Sequence, residues 1–312
     1  MKYYIAIDIG GTQLRAAVYP ENGNQPINIR KILTQHPGET PLERLFGLID
    51  SVWLKDETII SIGVAVPGPV DPYAGVIIET PNIRGWTDLP MQKYLQERYH
   101  VPVALGNDAN LAALAEWRFG AGQGHKHLIY ITVSTGIGGG VIVDNHLLLG
   151  QRGLAGELGH FTVDPDGPVC GCGKRGHLEA LASGPSMARW VEEQIRQGAP
   201  SSLKGKSAIT ARDVSEAASQ GDELALAAFQ RAGWALGRTI ADYLHIFNPS
   251  IVIIGGGVSQ SGNLLLDPVR ESIKEHLMSP HYLDNFTLTT ASLGDDVVLM
   301  GALALAHQIK TS

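Results

Sequence analysis

Two cysteines stand one residue apart, Cys170 and Cys172, with His160 ahead of the pair and His177 just behind it. Two thiolates and two imidazoles are a tetrahedral zinc donor set, and four protein ligands leave no coordination position open, which makes a structural zinc. The alternative is two small buried thiols and two unrelated histidines; the Cys-Gly-Cys-Gly spacing with a third ligand close behind favours the metal. Glu157 and Glu179 flank the same segment. Carboxylates beside a histidine suit a polyol, because every hydroxyl both donates and accepts, although glutamates are most often solvated surface groups.

Glycine supplies the second constellation. The clusters Gly10-Gly11, Gly136 with Gly138-Gly139-Gly140, and Gly255-Gly256-Gly257 each follow an apolar, β-branched run. A strand that ends in a glycine turn lets backbone amides approach a phosphate, and three such turns argue against plain chain reversals. Asp8, at the end of the first run, is placed to hold magnesium through water, since that ion keeps much of its hydration shell. Gly10, Gly11 and Thr12 then turn amides and a hydroxyl towards phosphate, and Ser134-Thr135-Gly136 forms the matching loop. Because Asp8 to Thr12 joins strand to strand and lacks Gly-Lys-Ser/Thr, it is neither a dinucleotide fingerprint nor a P-loop. Asn107-Asp108 stands between a short strand, Val101 to Leu105, and a helix, Ala109 to Arg118. By residue type alone Asp108 reads first as a helix N-cap.

The elements that must carry these residues follow from periodicity. A first strand runs from residue 3, Val18 closes a second, and residues 27–33 alternate as a third. Leu42, Leu45, Phe46, Ile49 and Val52 mark one helix face. Ile59 to Val66 is a buried strand ended by Pro67-Gly68-Pro69. After residue 125 the pattern repeats with strands 127–133 and 138–143. A long helix then puts Leu224, Ala228, Ala232, Leu236, Ile240, Tyr243 and Phe247 on one stripe. Asn248-Pro249 ends it ahead of strand 251–254, and a last apolar helix covers about 296–309. The expectation is an α/β chain of two domains: a smaller one of residues 1–108 plus a C-terminal helix of about 297–312, and a larger one of 109–296. The boundary near 108–125 is expected to be a hinge helix.

Composition excludes several classes. The 312 residues are 44% hydrophobic and 18% charged, which is globular. A net charge of −7 offers no basic face for nucleic acid. The opening residues lack the features of a signal peptide, and no run is long enough to span a membrane. The cysteine usage suits a reducing cytoplasm.

Taken in order, the motifs resemble the ROK family of repressors and sugar kinases over essentially the whole length. The matching pieces are Asp8-Ile-Gly-Gly-Thr12, Pro67-Gly-Pro69, Pro81-Asn82 with Gly85-Trp86, and Asn107-Asp-Ala-Asn110. Thr135-Gly-Ile-Gly-Gly-Gly140, Glu157-Leu-Gly-His160, Cys170-Gly-Cys-Gly173, Gly176-His-Leu-Glu179 and Gly255-Gly-Gly257 continue the series. The resemblance implies an actin-like, ribonuclease H-like two-domain fold with a cleft. It implies an ATP- and magnesium-dependent transfer of the γ-phosphate to the 6-hydroxyl of a hexose, glucose foremost, with fructose, mannose or an N-acetylated hexosamine as the alternatives. It makes Asp108 the general base and carries Gly68, Asn82, Asn107, Glu157, His160 and Glu179 to sugar contacts. Asp8, Gly10, Gly11, Thr12, Thr135 and Gly136 go to the phosphates, and Gly256 and Gly257 to the adenine, where open backbone admits a flat base. A homodimer or homotetramer is implied too. The family's commonest pattern has a cysteine where His177 stands.

Three rivals remain at this level. A regulator of the same family carries a helix-turn-helix before the first strand, for which a strand starting at residue 3 leaves no room. A polyphosphate-using kinase tends to lack the cysteine segment. A non-sugar actin-like ATPase has no use for Glu157, His160 and Glu179 around a zinc loop.

Overall fold

The structure, a computed structural model, describes residues 1–309. The chain opens with strand β1 (Lys2–Ile9), turns back into β2 (Gln13–Pro20) and again into β3 (Asn28–Leu33). Helix α1 (Pro41–Val52) leads to β4 (Thr58–Val66), and the short strands β5 (Val70–Asp71), β6 (Val76–Glu79) and β7 (Thr87–Leu89) make a small separate sheet. Helix α2 (Met91–Tyr99), strand β8 (Val103–Asn107) and helix α3 (Asp108–Phe119) follow. The first sheet has the order β3-β2-β1-β4-β8, antiparallel across its first three strands and parallel from β1 to β8.

A second sheet begins with β9 (Leu128–Val133), β10 (Ile137–Val143) and β11 (His146–Leu147). Four helices come next, α4 (Leu178–Ala182), α5 (Gly184–Arg196), α6 (Ala211–Ser219) and the long α7 (Glu223–Phe247), and then β12 (Ile251–Gly255). Helix α8 (Asn263–His276) and β13 (Thr287–Thr290) complete this part, and α9 (Val297–Gln308) is the last element. The second sheet repeats the first one's scheme in the order β11-β10-β9-β12-β13.

Contacts divide the chain into two compact units. One comprises residues 1–123, 147–156 and those from Ser292 onward; the other comprises 124–146 and 157–291. These limits differ from the expected breaks after 108 and 296. Helix α3 stays with the first unit because Leu111 and Leu114 share a core with Leu299, Ala302 and Leu303 of α9. Residues 310–312 of the expected C-terminal helix lie outside the described residues.

Alternation along β1 sorts the first unit into two layers. Ile5, Ile7 and Ile9 pack with Leu45, Leu48 and Ile49 of α1 and Met91 and Leu95 of α2. The opposite face is lined by small residues, Ala6, Ala17 and Ala65, under α3 and α9. The close fit there is enforced at Gly63, where a Cβ would fall 1.9 Å from the carbonyl oxygen of Ala302. In the second unit α7 is capped by Asp222, whose side chain accepts from the N–H of Ala225, and it stops at Asn248 in the left-handed region, φ 44°. The expected stripe is buried along α7 apart from Phe247, which lies at its end.

Candidate active site

The turn after β1 is closed by the Gly10 N–H donating to the Gln13 carbonyl at 2.8 Å. It is held from behind by Thr34, which is fully buried. Its hydroxyl donates to the Gly10 carbonyl at 2.6 Å, and its N–H donates to the Thr12 carbonyl at 2.9 Å. In front of the turn lies an open depression of about 410 Å³ lined by Asp8, Gly10, Gly11, Thr12, Arg15, Lys31 and Asp295, among others. Nε and Nη2 of Arg15 approach one oxygen of Asp8, at 2.9 and 2.8 Å. Burial pushes the Asp8 carboxyl above its ordinary value, with Arg15 acting against it. Turn amides with two cations beside them suit an anion, and carboxylate oxygens of Asp8 and Asp295 are the ligand type that magnesium takes alongside water. Gly11 is required by contact: a Cβ there would lie 2.5 Å from the Cβ of Asn82, so the turn rests on the loop that carries Asn82.

At the head of α3 the cap falls one residue earlier than expected. Asn107, not Asp108, is the N-cap; its Oδ1 accepts from the N–H groups of Ala109 and Asn110 at 3.0 and 3.2 Å. Its Nδ2 donates to the Gly68 carbonyl at 3.0 Å, which leaves the amide one N–H for a ligand. Strand β8 ends two residues later than expected, so Asp108 becomes the first helical residue, half-buried, with Oδ1 accepting from the Ala109 N–H at 2.8 Å. A carboxylate in the first turn also sits in the favourable field of the helix dipole. Gly68 itself is in the left-handed region, φ 87°, and a Cβ there would meet the Glu79 carbonyl at 2.7 Å.

In the second unit Glu179 organises the site. Its Oε2 accepts from the Ile137 N–H at 3.0 Å, against the turn of Thr135 and Gly136. A Cβ on Gly136 would come within 2.5 Å of that oxygen, so glycine makes the approach possible. Oε1 accepts from the Cys170 thiol at 3.3 Å. The donor atoms of His160, Cys170, Cys172 and His177 all lie within 4.8 Å of one another. Three of the separations are 3.3 Å between the two Nδ1 atoms, 3.7 Å from Cys170 Sγ to His160 Nδ1, and 3.2 Å from Cys172 Sγ to His177 Nδ1. A tetrahedron with ordinary zinc–nitrogen and zinc–sulfur bonds has edges of roughly 3.3–3.8 Å; the donor types are those zinc takes and these three separations lie near that range, while the set as a whole spans up to 4.8 Å. Burial, reinforced by His160, lowers the His177 pKa. Burial pushes the Cys170 thiol up to about 11. His160 presents Nδ1 to the cluster, while its Nε2 lies 3.9 Å from Oε2 of the exposed Glu157.

The turn carrying Glu157 and His160 is fixed by Tyr243 of α7, whose hydroxyl donates to the Leu158 carbonyl at 2.5 Å. It packs against β10. A Cβ on Gly159 would sit 2.0 Å from the Ile137 carbonyl, and one on Gly139 would sit 2.4 Å from Leu158. At least part of the Gly138–Gly140 run therefore serves packing of the neighbouring turn and not a phosphate. Gly256 has φ 83°, and Gly257 has no atom within 4 Å of where its Cβ would be. Thr34 and Tyr243 were not singled out for the site by sequence: Thr34 carries no motif, and Tyr243 reads as one more position of the buried stripe.

The profile of the ROK family matches residues 4–309. The chain belongs to the ROK family. A glucokinase of Thermotoga maritima is 38% identical, with 97% of each chain covered. The crystal structure of a ROK family glucokinase from Streptomyces griseus in complex with glucose and AMPPNP superposes with a TM-score of 0.81 at 36% identity, covering 98% of this chain and 100% of that one. A xylose repressor of Bacillus subtilis is 34% identical over 96% of this chain and 75% of its own length. The fold of this ROK protein is the actin-like sugar-kinase fold.

Proposed function

We infer that this protein is an ATP-dependent glucose kinase. The observation that carries the reading is its likeness, over the full length of both chains, to a glucokinase crystallised with glucose and AMPPNP. Phosphoryl transfer asks mainly for positioning and charge neutralisation, with a carboxylate to orient the nucleophile. Asp108 takes the proton of the sugar 6-hydroxyl as that oxygen bonds to the γ-phosphorus, and the bond from phosphorus to the ADP oxygen breaks. Its place in the first turn of α3, beside a cap tied to Gly68, holds it in one orientation. Asn107 gives its remaining N–H to a sugar hydroxyl, and Asn82, Gly68, Glu157, His160 and Glu179 complete the hexose contacts. Gly10, Gly11 and Thr12 receive the donor phosphates, as do Thr135 and Gly136, and Asp8 would hold magnesium through water. Gly257, open above its backbone, suits the adenine.

His160, Cys170, Cys172 and His177 would hold the zinc. When bound, zinc supplies a closed tetrahedral node that fixes the loop and performs no Lewis-acid chemistry. This reading places the enzyme in a reducing compartment, the cytoplasm, as a homodimer or homotetramer, which light scattering would measure. Among the described residues no helix is long and apolar enough to cross a membrane.

The test is ADP release from purified protein against a panel of sugars. Glucose should give the highest kcat/KM, with mannose and N-acetylated hexosamines nearest. Fructose or an N-acetyl sugar well above glucose overturns the assignment of substrate. Sugar binding without ADP release from any sugar overturns the kinase and favours the regulator reading, to which the repressor likeness also points.

A further inference from the structure

Glu116 is fully buried, yet it belongs to none of the constellations above. It lies in the third turn of α3, the helix that begins at Asp108. Its carboxylate accepts four hydrogen bonds. Oε2 takes the Ala121 N–H at 2.8 Å and the Ser292 hydroxyl at 3.0 Å. Oε1 takes the N–H groups of Ser292 and Leu293 at 2.9 and 3.0 Å. The Glu116 backbone carbonyl accepts two more, from Gly120 and Gly122. Such saturation is what makes a buried carboxylate tolerable. The surroundings are shaped to it, because a Cβ on Gly120 would fall 2.1 Å from Oε2.

The two segments that Glu116 holds are those by which the chain leaves the first unit, after residue 123, and re-enters it, at Ser292. The returning segment has a further part. Within three residues of Leu293 it reaches Asp295, which lines the depression in front of the first glycine turn, and Asp296, which pairs with Arg15 at 3.3 Å. Arg15 in turn grips Asp8. One side chain on the Asp108 helix therefore fixes the stretch that forms the acidic wall of the phosphate depression. The other end of α3 has anchors of its own, the Asn107 cap and its bond to Gly68.

We propose that Glu116 is a positioning residue for the phosphate donor: it sets residues 292–296, and through them Asp295, Asp296, Arg15 and Asp8, without touching either substrate. This rests on the reading of the first turn as a donor-phosphate site. Four acceptor positions are needed, and an amide supplies fewer, since one of its two ends carries hydrogens. In Glu116→Gln an NH₂ faces at least one N–H donor.

The test compares Glu116→Gln with wild type in two measurements: the KM for ATP at saturating glucose, and the dissociation constant for glucose without nucleotide. The expected result is a KM for ATP raised about tenfold, the scale of one lost hydrogen bond to a charged group, with glucose binding within about twofold of wild type. A merely structural role would lower thermal stability and either leave both constants alone or weaken both together, and any of these overturns the proposal. Should Glu116→Gln fail to fold, Ser292→Ala decides. It removes only the hydroxyl contact and is expected to raise the KM for ATP by roughly two- to threefold with unchanged glucose binding; an unchanged KM for ATP overturns the proposal. A wild-type protein that releases no ADP with any sugar removes the kinase reading itself, an outcome separate from either variant's behaviour.

Discussion

The two glycine turns stand on the same scaffold, an antiparallel strand pair at the centre of a five-stranded sheet, yet they are supported in different ways. The first is held by a neutral hydroxyl, Thr34, and looks onto a depression edged with Asp8, Arg15, Lys31 and Asp295. The second is held by the Glu179 carboxylate, whose other oxygen reaches Cys170 of the histidine–cysteine cluster. Charge faces the ligand in the first case and serves as the support in the second. The first turn has two supports, Thr34 behind it and the loop that carries Asn82. A turn resting on Glu179 feels the cysteine loop and, in the proposed function, the metal and the hexose as well.

The largest expected effect tests the chemistry that both turns serve. Asp108→Asn should lower kcat by on the order of 10²–10⁴ with little change in glucose affinity, because the amide keeps the size but cannot accept a proton. Near-wild-type turnover would return Asp108 to the helix start alone.

Removal of the metal should separate the two turns. Cys172→Ser, or chelation, is expected to abolish stoichiometric zinc, lower thermal stability and weaken glucose binding by about 10–100-fold. The KM for ATP should rise less, through Glu179 only. Metal analysis of protein purified without chelator checks the premise: substoichiometric zinc with full activity sinks it.

A paired substitution sharpens the comparison further. Thr34→Val keeps the shape but strips the donor from the Gly10 carbonyl, and should raise the KM for ATP by about threefold to tenfold while sparing glucose. Thr34→Ser should restore it. Glu179→Ala should raise the KM for ATP and weaken glucose together. If both variants shift only the ATP constant, the difference between the two supports is lost.

The smallest effect concerns acid. Burial pushes Asp222 up, but hydrogen bonds from Ala225, Ser202 and Ser201 prevail and hold it at about 2. Because the folded value lies below the ordinary one of 3.8, its stabilisation is complete above that pH and fades as pH falls towards 2. Asp8 in the first unit is shifted the opposite way. Melting temperatures between pH 5 and pH 2 should fall less steeply for Asp222→Asn than for wild type. Parallel curves would show that the cap contributes nothing to acid sensitivity.

Much of this was legible in the sequence because it is local. The strand-glycine-strand units, the apolar stripe of α7 and the Cys-Gly-Cys cluster each declare themselves within a few residues. The cap fell on Asn107 and not on Asp108 because a cap is decided by where the preceding strand ends, and β8 runs to Asn107. The sheet of β5 to β7 was missed, since its strands of two to four residues are too short to show alternation. Thr34, Glu116 and Tyr243 were illegible for another reason. Their partners, Gly10, Ser292 and Leu158, are 24, 176 and 85 residues away, and no spacing rule reaches that far.

The small-residue face under α9 has a consequence for how the protein is made. Ala6, Ala17, Gly63 and Ala65 are in place once the first strands have been synthesised, but Ala302 and Leu303, which cover them, are made much later. On the ribosome the first sheet therefore waits, with one flank bare and the Ser61 hydroxyl unable to reach the Ala306 carbonyl, until α9 has emerged. Chains leave at about 5–20 residues per second, so that flank stays open for roughly ten seconds or more. Over that interval apolar surface stays uncovered, and truncations lacking α9 should aggregate.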